Sequence, residues 1–431
     1  MENVSENLPL TKKTEMIGWV ICSLGAVFYC YEYLLRIQPS VIVNELMRQF
    51  HISSLDKFSA IISLYYLAYT PMQAVVGVMT DLYGPRFILT FAVFMCTLGS
   101  FFFGIADNVF LASIGRFLVG FGSAFAFVSA LKLASIWLPL NRFALFAGLV
   151  TALGMMGGMA GDIGLTHLVT SVGWKQTLYG STFLGVILLP ILWFAIRDKK
   201  SSLSTPRSES KASYKETLAG LYRILSNPQV WIAGFIGCIL YMSLSVFAEL
   251  WGIPFLKTVY HLDAQQAAFT NSMVFFGWLV GAPLTGWISD KMQKRRLPLL
   301  LGCLFSALAI TWVIYIPTSL ILAQILLFLF GVFSSIEVVC FAVGRETSPR
   351  NVSGAAVSFV NLLVMFGGLA FQPLVGKILD IYWKGLISDD LRVYTPEGFR
   401  LALTVIPVAI IIGMVLCFIL RESFDKSLDS Q

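Results

Sequence analysis

Charge is what this sequence has least of. Only 13% of its 431 residues are Asp, Glu, Lys or Arg, against roughly a quarter in soluble domains. Hydrophobic residues make up 57% of the chain and mean hydropathy is +0.79, so a water-soluble globule is excluded. No G-x-x-x-x-G-K-[ST] phosphate loop occurs, which disfavours ATP as an energy source. The three histidines, His51, His167 and His261, lack ligand spacing. Seven cysteines (Cys22, Cys30, Cys96, Cys238, Cys303, Cys340 and Cys417) form no C-x-x-C and fall inside or at the ends of apolar runs. They read as small core residues, neither a disulfide framework nor a metal site. No metal or cofactor is expected, and no nucleophile–base pair supports an enzyme. Residues 1–16, polar and mixed in charge, do not resemble a cleavable signal or transit peptide.

What is present is a succession of apolar runs, each long enough to cross a hydrocarbon layer of about 30 Å as a helix. They fall at roughly 17–38, 57–79, 87–106, 109–138, 142–165 and 177–196, then 228–250, 266–288, 297–317, 319–344, 353–376 and 400–420. Twelve spans place both termini on one side. About 19 of the 30 Lys and Arg then share that side, against about eight opposite, which predicts cytoplasmic termini. The formal charge of +6 is therefore an orientation signal and not a nucleic-acid footprint. The reading divides the chain into a tail (1–16), a six-helix unit (17–196), a Ser-rich cytoplasmic linker (197–227), a second six-helix unit (228–420) and a tail (421–431). The 377–399 loop, with Tyr382 and Trp383, is expected at the outer membrane interface, where aromatic rings prefer to sit.

The two units are related. Gly77-Val-Met-Thr-Asp81-Leu-Tyr-Gly84-Pro85-Arg86, a polar turn between apolar helices, recurs as Gly286-Trp-Ile-Ser-Asp290-Lys-Met-Gln293-Lys-Arg295. At nearly the same offset, Met155-Met-Gly157-Gly158-Met-Ala160 matches Met365-Phe-Gly367-Gly368-Leu-Ala370. Repetition of this kind marks an internal duplication. The pattern G-x-x-x-D-x-x-G-x-R between the second and third spans resembles the signature loop of the major facilitator superfamily; its second copy lacks only the middle glycine. The resemblance implies an all-α integral membrane protein, with twelve transmembrane helices in two pseudo-symmetric six-helix bundles around a cavity open alternately to either side. It also implies that Gly77, Asp81, Gly84 and Arg86, with Gly286, Asp290 and Arg295, form a cytoplasmic gate. A solvated loop ion pair is the plainer alternative.

Ionisable residues inside spans are expensive and by default functional. Glu32 and Arg36, four apart on the first helix, share a face and can pair. With Asp162 they are the proton-coupling candidates, Glu32 foremost; a static pair locking the helix is the alternative. Arg116-Phe-Leu-Val-Gly120-Phe-Gly122 resembles the superfamily's fourth-helix motif, and its arginine lies at a depth where Glu32 or Asp162 could meet it. Lys132, sixteen residues on and about 24 Å along the helix, either snorkels to the inner surface or holds a substrate carboxylate. The fifth helix carries a small-residue face, Gly154 to Gly161, resembling in part the antiporter signature of drug exporters but without its proline. Glu249, Glu337, Asn361 and Gln372 are the polar exceptions of the second half, and Tyr29, Tyr65, Tyr69, Gln73 and Trp278 are further cavity candidates. Cavity charges of both signs suit a zwitterion.

Gly25-Ala-Val-Phe28-Tyr-Cys-Tyr31-Glu32-Tyr-Leu-Leu-Arg36-Ile-Gln-Pro39-Ser40 and Ala248-Glu-Leu-Trp-Gly-Ile-Pro254-Phe-Leu resemble the bacterial intraphagosomal (phagosomal) amino-acid transporters. That resemblance implies a monomeric, proton-coupled importer of a small polar nutrient, foremost an amino acid, in a bacterial inner membrane. Its partners are then the solute, protons and the lipid bilayer. Carriage of a nucleoside, peptide, siderophore or organic acid, export, or a non-transporting sensor are the alternatives.

Overall fold

The computed structural model describes residues 12–138, 140–197, 222, 224–348, 353–388 and 391–424. Most of the expected linker 197–227 and most of the tail 421–431 lie outside the described residues. The first half comprises α1 (Lys12–Val41), α2 (Leu55–Met72, resuming as Val76–Tyr83), α3 (Pro85–Ile105), α4 (Val109–Ser123, resuming as Ala126–Trp137), α5 (Leu140–Met159, continuing to Val172) and α6 (Trp174–Ala195). The second comprises α7 (Pro228–Met242, continuing to Val259), α8 (Ala264–Met292), α9 (Arg296–Tyr315), α10 (Leu320–Ser334, continuing to Glu346), α11 (Ser353–Ile381) and α12 (Pro396–Leu403, resuming as Val405–Ile419). Among the described residues, eleven helices are continuous, long and apolar enough to cross a bilayer. The twelfth span is α2, whose register breaks after Pro71. That residue supplies no N–H, and the backbone tightens into three-residue bonds: Gln73 N–H to Thr70, Ala74 to Pro71 and Val75 to Met72. Short polar turns start the next helices, with Asn108, Asn227, Asp263, Ser319 and Thr395 each accepting a backbone N–H two or three residues on.

The repeated glycine pair explains how the halves fit. A Cβ at Gly157 would collide with the Cys30 carbonyl on α1, and one at Gly367 would press on Cys238 of α7. The following glycines face outward across the boundary: Gly158 seats the Phe275 ring of α8, and Gly368 seats the Tyr66 ring of α2. In each half the first glycine thus brings α5 or α11 onto the first helix of its own bundle, and the second admits a ring from the other bundle.

The two copies of the signature turn share a positive φ but differ in ψ. Gly84 has φ 80 and ψ 151, a combination that only glycine takes readily. Gln293, which stands in its place, has φ 52 and ψ 38, an ordinary left-handed cap open to longer side chains. Helix α11 runs to Ile381 and α12 begins at Pro396, so the expected 377–399 loop is shorter, and it holds a small hairpin of β1 (Ile387–Ser388) and β2 (Leu391–Arg392). Trp383 donates to the Leu386 carbonyl at 2.9 Å and lies under the Arg392 guanidinium at 4.3 Å.

At this face, opposite the termini, Asp380 at the end of α11 reaches into the other half. Its carboxylate accepts the Leu55 and Asp56 N–H groups that open α2, at 3.3 and 2.8 Å, and also binds Arg392 at 3.1 Å and the Tyr394 hydroxyl. Burial first, then the Asp380 carboxylate, pushes the Tyr394 phenol up, which keeps it a donor.

Packing at Gly157 and open space at Gly77 predict opposite outcomes. Gly157→Ala forces a side chain against a backbone carbonyl and should destabilise the purified protein by about 1–3 kcal/mol. Gly77 has nothing within 4 Å of an added Cβ, so Gly77→Ala should leave stability unchanged or slightly raised. Thermal unfolding in detergent distinguishes the two.

Candidate transport site

The centre of the molecule is a buried ionic cluster that joins both halves. On α1, Arg36 binds Glu32 through Nη2 at 3.1 and 3.3 Å. Its Nη1 crosses to α7, donating to the Tyr241 hydroxyl at 3.0 Å and to Glu249 at 3.5 Å. Glu32 also accepts from Tyr65 of α2 at 3.1 Å, and Glu249 accepts from Tyr66, the next residue on that helix. Tyr33 and Tyr241 close the ring with a hydroxyl contact of 3.1 Å. The guanidinium lies 4.3, 5.0 and 5.3 Å from the ring centroids of Tyr33, Tyr65 and Tyr69. Glu32, Arg36 and Glu249 are at most 3% exposed. Unpaired, a charge at this depth would cost several kcal/mol; here one guanidinium is shared between two carboxylates.

Arg116 meets neither Glu32 nor Asp162. Pro39 has no N–H, so the Leu35 carbonyl four residues earlier loses its helical donor. Arg116 supplies it, donating to Leu35 at 3.1 Å and to the Arg36 carbonyl at 3.5 Å, with its guanidinium 5.2 Å from the Tyr65 ring centroid. One arginine thereby positions the helix turn that carries the other. Gly120 lets α4 approach that closely, since a Cβ there would strike the Tyr65 backbone.

Asp162 lies elsewhere on the boundary between the halves. It sits on a π-helical turn of α5, Ala160–Leu165, and Glu249 sits on a longer π stretch of α7, Ser243–Trp251. Wide turns leave carbonyls unused by the helix, and such turns are frequent at functional sites. The Ala248 carbonyl accepts from Asn271 of α8 at 2.8 Å, and the same amide donates to Asp162 at 2.6 Å. Asp162 is fully buried, and among the described residues its second oxygen has no partner and no cation pairs with it.

The remaining candidates spread around this centre. Tyr29 packs on Tyr33 and Phe127. Trp278 donates to Ser243 at 3.0 Å and meets Tyr241 edge-on. Gln372 donates to the Ser245 carbonyl at 2.6 Å, tying α11 to the π stretch of its own half. Gln73 and Asn361 meet at 2.7 Å, a contact between α2 and α11 nearer the termini. Glu337 occupies a 3-10 turn in α10, buried among helices of the second half, with Oε1 unpartnered. Lys132 is half-buried in the termini-side piece of α4. In the signature turns, Arg86 donates to the Trp193 carbonyl at 2.9 Å, while the Asp81 side chain lies outside the described residues. The second copy is fully visible. Arg295 binds Asp290 at 2.6 Å and Glu346 of α10 at 2.7 Å, and Glu422 accepts the Arg295 and Arg296 N–H groups that open α9. Burial pulls on the Arg295 guanidinium, but Glu346 and Asp290 outweigh it and raise its pKa above the usual value.

Sequence reading missed Tyr33, Tyr66, Tyr241 and Asn271. A signal existed for one pair: Tyr33 and Tyr241 stand at nearly the same offset as the repeated glycines.

The Major Facilitator Superfamily profile matches residues 21–371 and 252–431. The chain belongs to the major facilitator superfamily. It is a multi-pass membrane transporter of that fold. It is similar to the probable sulfoacetate transporter SauU of Cupriavidus necator, 24% identical over 292 residues that span 66% of each chain. The probable hexose phosphate transport protein of Chlamydia pneumoniae is 23% identical over 75% of this chain and 77% of that one. The membrane sensor protein UhpC of Escherichia coli is 22% identical, over 83% and 85%. Among solved structures, a bacterial homolog of the human lysosomal transporter Spinster, inward-facing and unoccupied, superposes with a TM-score of 0.76 at 15% identity, covering 96% of this superfamily member and 98% of the other chain.

The central cluster predicts a non-additive mutational pattern. Arg36→Met strands two buried carboxylates and should lower stability by about 3–5 kcal/mol. Adding Glu32→Gln and Glu249→Gln should restore most of the loss, measured by thermal unfolding in detergent.

Proposed function

We propose that this transporter imports a small zwitterionic nutrient, foremost an amino acid, together with protons. The reading places it in a bacterial inner membrane as a monomer with cytoplasmic termini. The observation that carries it is the Arg36 bridge to carboxylates of both halves, Glu32 and Glu249. An amino acid entering there can exchange both members of the cross-half pair, giving its carboxylate to Arg36 and its ammonium to Glu249. Binding then replaces a contact between the bundles by contacts through the solute, which is what alternating access requires.

The proton falls to Asp162. Glu32 receives two guanidinium bonds and the Tyr65 hydroxyl, so its ionised form is satisfied. Among the described residues Asp162 has one amide donor and no cation, so its surroundings suit the neutral acid better than the carboxylate. It lies where α5 meets α8, so parting of the halves would expose it and let the proton leave.

A second reading is import of an organic anion. It is favoured by two relatives, a probable sulfoacetate transporter and a probable hexose phosphate transport protein. Arg36 serves it equally, but Glu249 would repel the far end of a dianion. A thermal-shift screen of the purified protein against amino acids, sulfonates and sugar phosphates separates the two, because the cognate solute stabilises the folded carrier by mass action.

In proteoliposomes with an imposed pH gradient, wild type should accumulate the stabilising amino acid. Asp162→Asn should keep solute counterflow while its accumulation collapses to equilibration. Full gradient-driven accumulation by Asp162→Asn would remove the proton from this residue.

A further inference from the structure

At the face opposite the termini the two halves enclose a cavity of about 340 Å³, a size that holds a small solute. It is separate from the central cluster and lies one or two helical turns beyond it: Ser40 is four residues past Arg36 on α1, and Ile253 is four past Glu249 on α7. Its charged lining is uneven. Arg48 from the first half and Lys257 and Arg392 from the second stand against the single carboxylate of Glu45. Arg392 is neutralised by Asp380 at 3.1 Å. Lys257 is exposed in the last turn of α7 and, among the described residues, makes no hydrogen bond or ion pair. Among the described residues the cavity therefore holds an unpaired ammonium in a recess between the halves, where the field of a single charge is focused.

We propose that this vestibule is a second solute site, which captures the acidic group of an incoming molecule on Lys257 before it reaches Arg36. The ligand chemistry is a small oxyanion group, whether carboxylate, sulfonate or phosphate. Glu45 on the opposing half disfavours a second negative charge and accepts an ammonium, so a zwitterion fits best. The order of events rests on the import reading above; binding in the vestibule does not.

Thr258, beside Lys257 in the lining, gives a reporter independent of transport. The purified Thr258→Cys protein in neutral detergent is labelled with an anionic and with a cationic methanethiosulfonate. The parent, whose native cysteines are buried or half-buried, supplies the blank. The anionic reagent should be favoured several-fold over its ratio on a free thiol, and high salt should abolish the preference. Lys257→Gln should remove it and Lys257→Glu reverse it, with the thermal midpoint unchanged because the side chain is exposed. Acetate, methanesulfonate or inorganic phosphate should slow labelling with Lys257 present and not with Glu there, and the most protective of the three identifies the preferred group. Absence of labelling, a reagent ratio indifferent to residue 257, or protection no better than that given by glucose would each overturn the site. Loss of gradient-driven uptake with labelling and protection intact would instead fault the import reading alone.

Discussion

One guanidinium decides whether the middle of this protein can exist. Glu32 and Glu249 come from different bundles and are sealed from water. A single planar group with several donors reaches both, and an ammonium, a point charge with three donors, could not match that geometry. Tyrosines complete the arrangement from the sides, three offering ring faces and four engaging hydroxyls. Arg116 fixes the turn beneath through the Leu35 carbonyl, which Pro39 leaves without a helical donor, and through the Arg36 carbonyl beside it. Side-chain charge, backbone satisfaction and bundle contact are therefore one constraint.

The halves are fastened at three depths, and the fastenings differ in kind. Opposite the termini, a carboxylate on α11 caps the start of α2. At mid-depth, charged and phenolic groups cross between α1, α2 and α7, and an amide meets an acid between α8 and α5. Nearer the termini, two neutral amides touch. The middle layer joins charged groups of both bundles, which a solute can replace directly. The outer two are short-range hydrogen bonds, which can open and reform as the bundles tilt. Such a division suits a carrier, whose ends must alternate while its centre recognises cargo.

Much of this was legible in the chain because membrane burial makes polarity conspicuous. The twelve spans, the duplication and the value of Glu32, Arg36 and Glu249 all follow from hydropathy, repeated glycines and the expense of charge in hydrocarbon. What was not legible is pairing across the halves. Tyr66 and Tyr241 stand within apolar spans, and nothing local tells which hydroxyl reaches the charged cluster. The π turns at Ala160–Leu165 and Ser243–Trp251 leave no compositional mark, yet the Ala248 carbonyl that Asn271 takes lies within the second of them. The destination of Arg116 was hidden because a proline on another helix created its acceptor.

The ring seat at Gly368 reaches further than packing. It admits Tyr66, and the depth to which that ring enters determines where its hydroxyl stands relative to Glu249. A hydrogen atom in place of a methyl on α11 thus sets how a phenol from the sister bundle meets a carboxyl on α7. Exchange of whole halves between members of the superfamily would carry the carboxyl and its glycine together but leave the phenol behind, so such hybrids would inherit the architecture and lose the tuning.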